Sequence, residues 1–282
     1  MTPARLTDER FHAAVETLRV PAMGTEVVAP LLANLVKLVR PHRVLEVGMG
    51  YTTPWLAAAL AEAADDARAQ APALAAKTSG YLDRGADLDD EWMYAEPALL
   101  APEFFTAPYQ PRMVAVDDWS VPESSSPRVL DVLRALGLDE VVTVVNADLR
   151  ECAQHFPADF TPIDFAWVDA WECLYFFDNF WDLVDPDGGI VVMHYLMTYP
   201  EGEAMLRYLA RLHEGNPGEF ETVNLLEPHK LSQNSLTILR RTSGAVRRAY
   251  AKPGARMDYG ATLREQAERQ AAAHVNTGRG TR

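Results

Sequence analysis

The chain has 282 residues, 48% hydrophobic and 23% charged, which excludes a disordered chain or a fibre and suffices for one large domain or two small ones. Its formal charge of −14 is uneven, with 10 Lys/Arg against 3 Asp/Glu from Arg240 onward and 16 against 37 before it, so the body repels phosphate backbones and no nucleic-acid partner is expected. Cys152 and Cys173 are too few for a disulfide framework, no apolar run approaches the ~20 residues of a membrane span, and no signal-peptide core opens the chain, so a cytoplasmic location without membrane attachment is expected.

The opening is helical. Val27, Val28, Leu31, Leu32, Leu35, Leu38 and Val39 recur at three-to-four spacing, the pattern of a buried helical stripe, and Pro41 ends it. RVLEV then makes a strand-length run that breaks into GMGYTTP and the alanine-rich WLAAALAEAADDARAQ, which reads as strand, tight turn and helix. From about Lys77 to Pro111 the pattern is lost. Tyr81, Trp92, Tyr94, Phe104, Phe105 and Tyr109 gather there among Asp, Gly and Pro, which predicts an inserted lid over 77–111 rather than a disordered linker.

Strand and helix patterns then alternate four more times: MVAVD with PRVLDVLRAL, VVTVVN with LRECAQHF, IDFAWVDA with CLYFFDNFWDLV, and GGIVVMHY with GEAMLRYLARLHE. Near-continuous apolar strands predict a parallel sheet with helices on both faces. FETVNLLE and SLTILRR have no helix between them and are expected to pair antiparallel at one end of the sheet. Beyond Arg241 the basic extension 242–282 has no apolar face and is expected to be a surface helix with a disordered tail. The predicted organisation is an N-terminal helical segment 1–42, an α/β domain 43–241 carrying the lid, and that extension.

The functional signal concentrates in Glu46-Val47-Gly48-Met49-Gly50-Tyr51-Thr52-Thr53. Glycines between a strand and a helix let a ligand approach the backbone, and free amides at the helix start suit polar or anionic groups. The same glycines also serve a plain tight turn. A dinucleotide-binding turn would want a third glycine where Thr53 stands and an acid at a strand end about twenty residues on. Here that distance falls inside the helix, at Asp65 and Asp66, and the next strand ends at Asp117-Asp118.

The succession VLEVGMGYTT, VAVDDW, VVNADL, FAWVDA and DPDGGIVVMHY resembles the signature segments of class I S-adenosylmethionine-dependent methyltransferases over roughly Glu26 to Arg241. The resemblance implies a Rossmann-like seven-stranded sheet, mostly parallel with an antiparallel last strand, and S-adenosylmethionine as cofactor. By that likeness Glu46, Gly48 and Gly50, with Thr52 in the same turn, would line the methionine and ribose part. Asp117 would accept the ribose hydroxyls, Asp148 would sit by the adenine edge, and Asp169 would face the methyl group. Asp117 and Asp148 also read as helix caps, Asp118 equally as cap or ligand, and Trp119 as adenine cover or core.

The later segments resemble the catechol-type O-methyltransferases, which hold a divalent metal with an acid after the fourth strand and an Asp-Asn pair after the fifth. Asp169 matches the first position, but His194-Tyr195 stands in place of the pair, a poor donor set for magnesium, so no metal is expected. A base is then wanted wherever the acceptor carries a proton, and His194 and His229 are the candidates beside Asp169, each also readable as a structural or surface histidine. Tyr51, Trp55, Trp92, Tyr94, Trp171 and Tyr175 are the aromatic candidates for an acceptor pocket, although CLYFFDNFWDLV at helical spacing reads mostly as core. The expected activity is metal-free methyl transfer to a small aromatic natural-product acceptor. The lid-bearing layout resembles bacterial enzymes acting on indole-containing compounds. O-methylation of a phenol is the alternative, and a nicotinamide-dependent oxidoreductase a more distant one. Enzymes of the resembled family commonly form dimers, and the N-terminal helix or the basic C-terminal segment is available for a homodimer contact.

Overall fold

The computed structural model describes residues 2–21, 23–85, 90–98, 100, 108–120 and 124–244. Phe104 and Phe105 of the predicted lid, and the extension beyond Gly244, lie outside the described residues. The chain divides into two compact units, Met1–Asp65 with Gln110–Ala245 and Asp66–Tyr109 with Val246–Arg282.

The first unit opens with helices α1 (Glu9–Glu16) and α2 (Thr25–Val39) and strand β1 (Arg43–Val47), and it contains the start of α3 (Thr52–Leu82). After α4 (Asp90–Tyr94) in the second unit, it resumes with β2 (Arg112–Asp117), α5 (Ser126–Leu136), β3 (Val142–Asn146), β4 (Phe165–Val168) and α6 (Cys173–Phe180). β5 (Ile190–His194), α7 (Pro200–Gly215), β6 (Phe220–Leu226) and β7 (Ser235–Arg241) complete it.

The seven strands form one sheet in the order β3-β2-β1-β4-β5-β7-β6. β7 runs antiparallel to both of its neighbours, and the other adjacent pairs are parallel. The period of two divides each central strand between two cores. Val44, Met113, Phe165, Trp167 and Val192 pack with α1, α2, α3 and α5, whereas Leu45, Val114, Ala166, Val191 and Met193 pack with α6 and α7. The order reverses between β1 and β4, and such a switch opens a crevice at the carboxyl ends of the strands.

Three expectations about elements change. The buried face of α2 is Val28, Ala29, Leu32, Ala33 and Val36, while Val27, Leu31, Leu38 and Val39 are exposed. This helix is apolar nearly all round, and its small residues Ala29 and Ala33 select the face that can approach its neighbours closely. LRECAQHF forms only a 3-10 turn at Cys152–His155, because Pro157 follows at once. α3 runs on through Leu82, past the position where regular pattern was expected to end.

Within the second unit, the Lys77 ammonium donates to the carbonyls of Ala95 and Pro97, both at 2.7 Å, and lies 4.6 Å from the ring centroid of Trp92. Trp92 is thereby committed to packing that unit, and Tyr94 is exposed. Among the described residues no helix is long and apolar enough to cross a membrane.

Candidate active site

A cleft of about 380 Å³ opens at the carboxyl ends of β1, β2, β3 and β4. Its floor is the turn after β1. Gly48 sits at φ +91°, where a Cβ would stand 2.6 Å from the carbonyl oxygen of Asp169, so the turn closes against β4 only without a side chain there. The Gly48 amide donates to the Val116 carbonyl at 2.9 Å, the Met49 amide to Oδ2 of Asp117 at 2.9 Å, and the Gly50 amide to Oγ1 of Thr53 at 3.0 Å. All three amides are thus committed within the protein, contrary to the expectation of free donors.

Asp117 also accepts the hydroxyl of Ser124 at 2.8 Å, and the Ser125 hydroxyl donates to the Met49 carbonyl at 2.9 Å. Asp148 accepts the Arg150 amide at 2.7 Å, and Asp118 the Ser120 amide at 2.9 Å. The Ser120 hydroxyl and amide hold the Asp118 carboxyl below the usual range. None of Asp117, Asp118 and Asp148 caps a helix: Ser125 precedes α5 and Glu151 precedes the turn at Cys152–His155, neither with a side-chain cap bond, and all three acids line the cleft. Trp119 does not line it; its amide donates to Oδ1 of Asn146 at 3.1 Å.

Glu46 departs from expectation. Its side chain lies wholly beneath the turn, outside the cleft lining, with Oε1 accepting the Thr52 hydroxyl at 2.6 Å and Oε2 without a partner. Burial pushes its carboxyl up to about 8, against the Thr52 and Thr53 hydrogen bonds and with added repulsion from Asp169 and Asp117. A strand-end acid beside glycines reads as a ligand group, yet the pleat puts Glu46 on the same covered face as Val44.

Asp169 and Glu172 complete a set of five carboxylates along the cleft with Asp117, Asp118 and Asp148, and no Lys, Arg or His lines it among the described residues. Oδ1 of Asp169 lies 2.9 Å from Nδ1 of His194. His194 is wholly buried and does not line the cleft, so it cannot meet an acceptor as a base. His229 fails for the opposite reason: its side chain is 67% exposed, on the β6–β7 loop, 3.8 Å from Glu227 and outside the cleft lining.

Of the aromatic candidates in this unit, Tyr51 alone lines the cleft. Trp55 is core, edge-on to Phe11 at 5.0 Å. Tyr175 lies under the Arg150 guanidinium at 5.1 Å. Trp171 is 63% exposed and lines a neighbouring hollow of about 330 Å³ with Tyr195 and Tyr199. Sequence reasoning missed the wall formed by Leu18, Val20, Met23 and Thr25. That wall is tied to the β6–β7 loop, where the Lys230 ammonium donates to the Gly24 carbonyl at 3.0 Å. Gly24 at φ +73° was the available signal, a residue type suited to the left-handed start of a helix.

A divalent metal, as in the catechol-type enzymes, does not fit these residues. Among the described residues no three His, Cys, Asp or Glu are grouped to hold an ion, and the imidazole beside Asp169 is buried with Nδ1 committed to that carboxylate.

Comparison with known families decides the class: a family described as a methyltransferase domain matches residues 45–195, just over half of the chain. The chain belongs to this family. No curated protein matches the methyltransferase. Solved structures match its fold. An O-methyltransferase, TomG, from Streptomyces achromogenes, involved in tomaymycin synthesis and solved with SAM, is 18% identical at a TM-score of 0.53, covering 83% of this chain and 90% of that one. An O-methyltransferase from Bacillus cereus solved with SAH is 14% identical at 0.56, covering 83% and 91%. A putative O-methyltransferase from Klebsiella pneumoniae is 14% identical at 0.54, covering 83% and 90%. The fold is thus the Rossmann-like class I methyltransferase fold that the sequence resemblance implied.

Proposed function

We propose that this methyltransferase moves the methyl group of S-adenosylmethionine onto an oxygen of a small aromatic acceptor, by in-line displacement and without a metal ion. The observation that carries the reading is the charge of the cleft, five carboxylates with no cationic side chain among the described lining residues. S-adenosylmethionine is a net cation and supplies, when bound, an electrophilic methyl group on sulfur. A nicotinamide dinucleotide would bring a pyrophosphate to a turn whose Gly48, Met49 and Gly50 amides are already committed. The oxidoreductase alternative is set aside on that ground.

Asp117 is assigned to the ribose hydroxyls; each of its oxygens accepts one protein hydrogen bond and retains a further lone pair. Asp148 is assigned to the adenine edge, and Gly50 keeps the backbone bare beside the ligand. Asp169 accepts the hydroxyl proton of the acceptor while the acceptor oxygen bonds to the methyl carbon and sulfur leaves with the electron pair. Positioning supplies most of the rate in such a displacement. Tyr51 in the cleft and the exposed Trp171 beside it support a flat acceptor. The O-methyltransferases of like fold support oxygen over an indole carbon or nitrogen.

Isothermal calorimetry of the full-length protein with S-adenosylhomocysteine, and separately with NADH, tests the reading. Binding of the first and not the second is expected; binding of NADH alone overturns it.

A further inference from the structure

We infer that His194 is a positioning residue, held as the Nδ1–H tautomer, that presents the Asp169 carboxylate to the methyl position of the cofactor; this rests on reading the cleft as a sulfonium-cofactor site. The sheet register brings the two together. β4 and β5 pair Trp167 with Val192, and Asp169 and His194 follow two residues on, on the same face.

The proton can be located by elimination. Nδ1 lies 2.9 Å from Oδ1 of Asp169, while Nε2 is buried without a partner. An ionised carboxylate only accepts, so the bond needs a proton on Nδ1. A proton on Nε2 alone would bury an unpaired N–H and set two lone pairs against each other, and a proton on both nitrogens would again bury an N–H with no acceptor. The Nδ1–H tautomer leaves only a lone pair unpartnered.

Packing fixes the ring. Trp167 and Tyr195 lie against it at centroid distances of 5.4 and 5.1 Å, with Tyr195 at φ +50°, a conformation non-glycine residues rarely adopt. Asp169 is consequently held at its amide, which donates to the Val47 carbonyl at 2.9 Å, and at Oδ1. Oδ2 is left for the cleft, where the side chain retains 15% exposure. His194 itself never touches the acceptor.

Sinefungin carries an amine, borne on carbon, where the cofactor carries its methyl group on sulfur, and S-adenosylhomocysteine carries neither the amine nor the methyl group. The ratio of their affinities therefore reads the carboxylate at that position. Calorimetry on the full-length protein is expected to show sinefungin bound about tenfold more tightly, the size of one charged hydrogen bond. The preference is expected to fall to about twofold or less in His194→Phe, which keeps a ring and removes the donor, and to return in His194→Asn, whose amide donates to the same oxygen. Retained S-adenosylhomocysteine binding shows that each variant is folded. A preference unchanged in His194→Phe, or absent in the wild type, overturns the proposal. The tautomer is read without substitution from 15N–1H correlation spectra of histidine-labelled wild-type protein, taking as His194 the signal missing in His194→Asn. A ring protonated at Nδ1 is expected, and one protonated at Nε2 overturns the proposal alone. Wild-type protein that binds neither ligand overturns the cofactor reading as well.

Discussion

The carboxylate of Asp117 accepts the amide of Met49 across 2.9 Å, so the end of β2 shapes the turn that leaves β1. The same side chain accepts the Ser124 hydroxyl, joining both flanks of the cleft floor. Asp117→Ala is expected to weaken S-adenosylhomocysteine binding by about tenfold to a hundredfold, the size of a lost charged hydrogen bond. Asp117→Asn keeps an oxygen acceptor and should lose less. Calorimetry compares the two, and equal near-native affinities would remove Asp117 from the site.

The two glycines of the turn should separate stability from binding. In Gly48→Ala the new Cβ meets the Asp169 carbonyl oxygen at 2.6 Å in a left-handed conformation, a cost of about 1–3 kcal/mol in urea unfolding. In Gly50→Ala the nearest atom is the Ser125 hydroxyl oxygen at 3.9 Å, so unfolding should be little changed while cofactor binding weakens. The reverse pattern would mean that Gly50, not Gly48, closes the turn.

Glu46 makes stability pH-dependent. Its carboxyl stands at about 8 in the folded protein against 4.5 ordinarily, because burial disfavours the anion. Between those values the folded state holds a proton that the unfolded state has lost, so the contribution of Glu46 to stability is full below 4.5 and is lost as pH rises through about 8. Urea midpoints at pH 6 and pH 9 are expected to drop less in Glu46→Gln than in the wild type, by on the order of a few kcal/mol at most. Parallel curves for the two proteins would contradict the buried, protonated acid.

His229→Ala should leave both folding and ligand binding in place, since the imidazole is exposed and lies outside the cleft lining. A change within about 0.5 kcal/mol is expected in unfolding, and cofactor affinity should stay within twofold. A large loss of affinity would return His229 to the candidate machinery.

Much of the fold was legible because strands covered on both faces read as continuous apolar runs, as MVAVD and FAWV do. The strand-end acids Asp117 and Asp169 were singled out by the family resemblance, and both line the crevice where the sheet order reverses. Direction was harder to read. Glu46 looks like a ligand group until its parity with Val44 turns it toward the helices, and α2 is too evenly apolar to declare which side is covered. The wall from Leu18 to Thr25 was missed because a connection between two helices has no period to read. His229 was over-read because a loop histidine carries no sequence mark of the side to which it points.

The order of the last strands sets a timetable for synthesis. β6 leaves the ribosome before β7, yet among the described residues β7 is its only neighbour in the sheet and stands between it and β5. Phe220–Leu226 therefore has its sheet partner only once Ser235–Arg241 has been made, with which it pairs antiparallel. The Lys230 donation to Gly24 spans 206 residues and comes from the loop joining that pair. The N-terminal wall of the cleft is thus fastened by nearly the last residues of the domain to be made, and a nascent chain stopped before Lys230 carries every glycine and acid of the site and the wall itself, without the donor that fastens that wall.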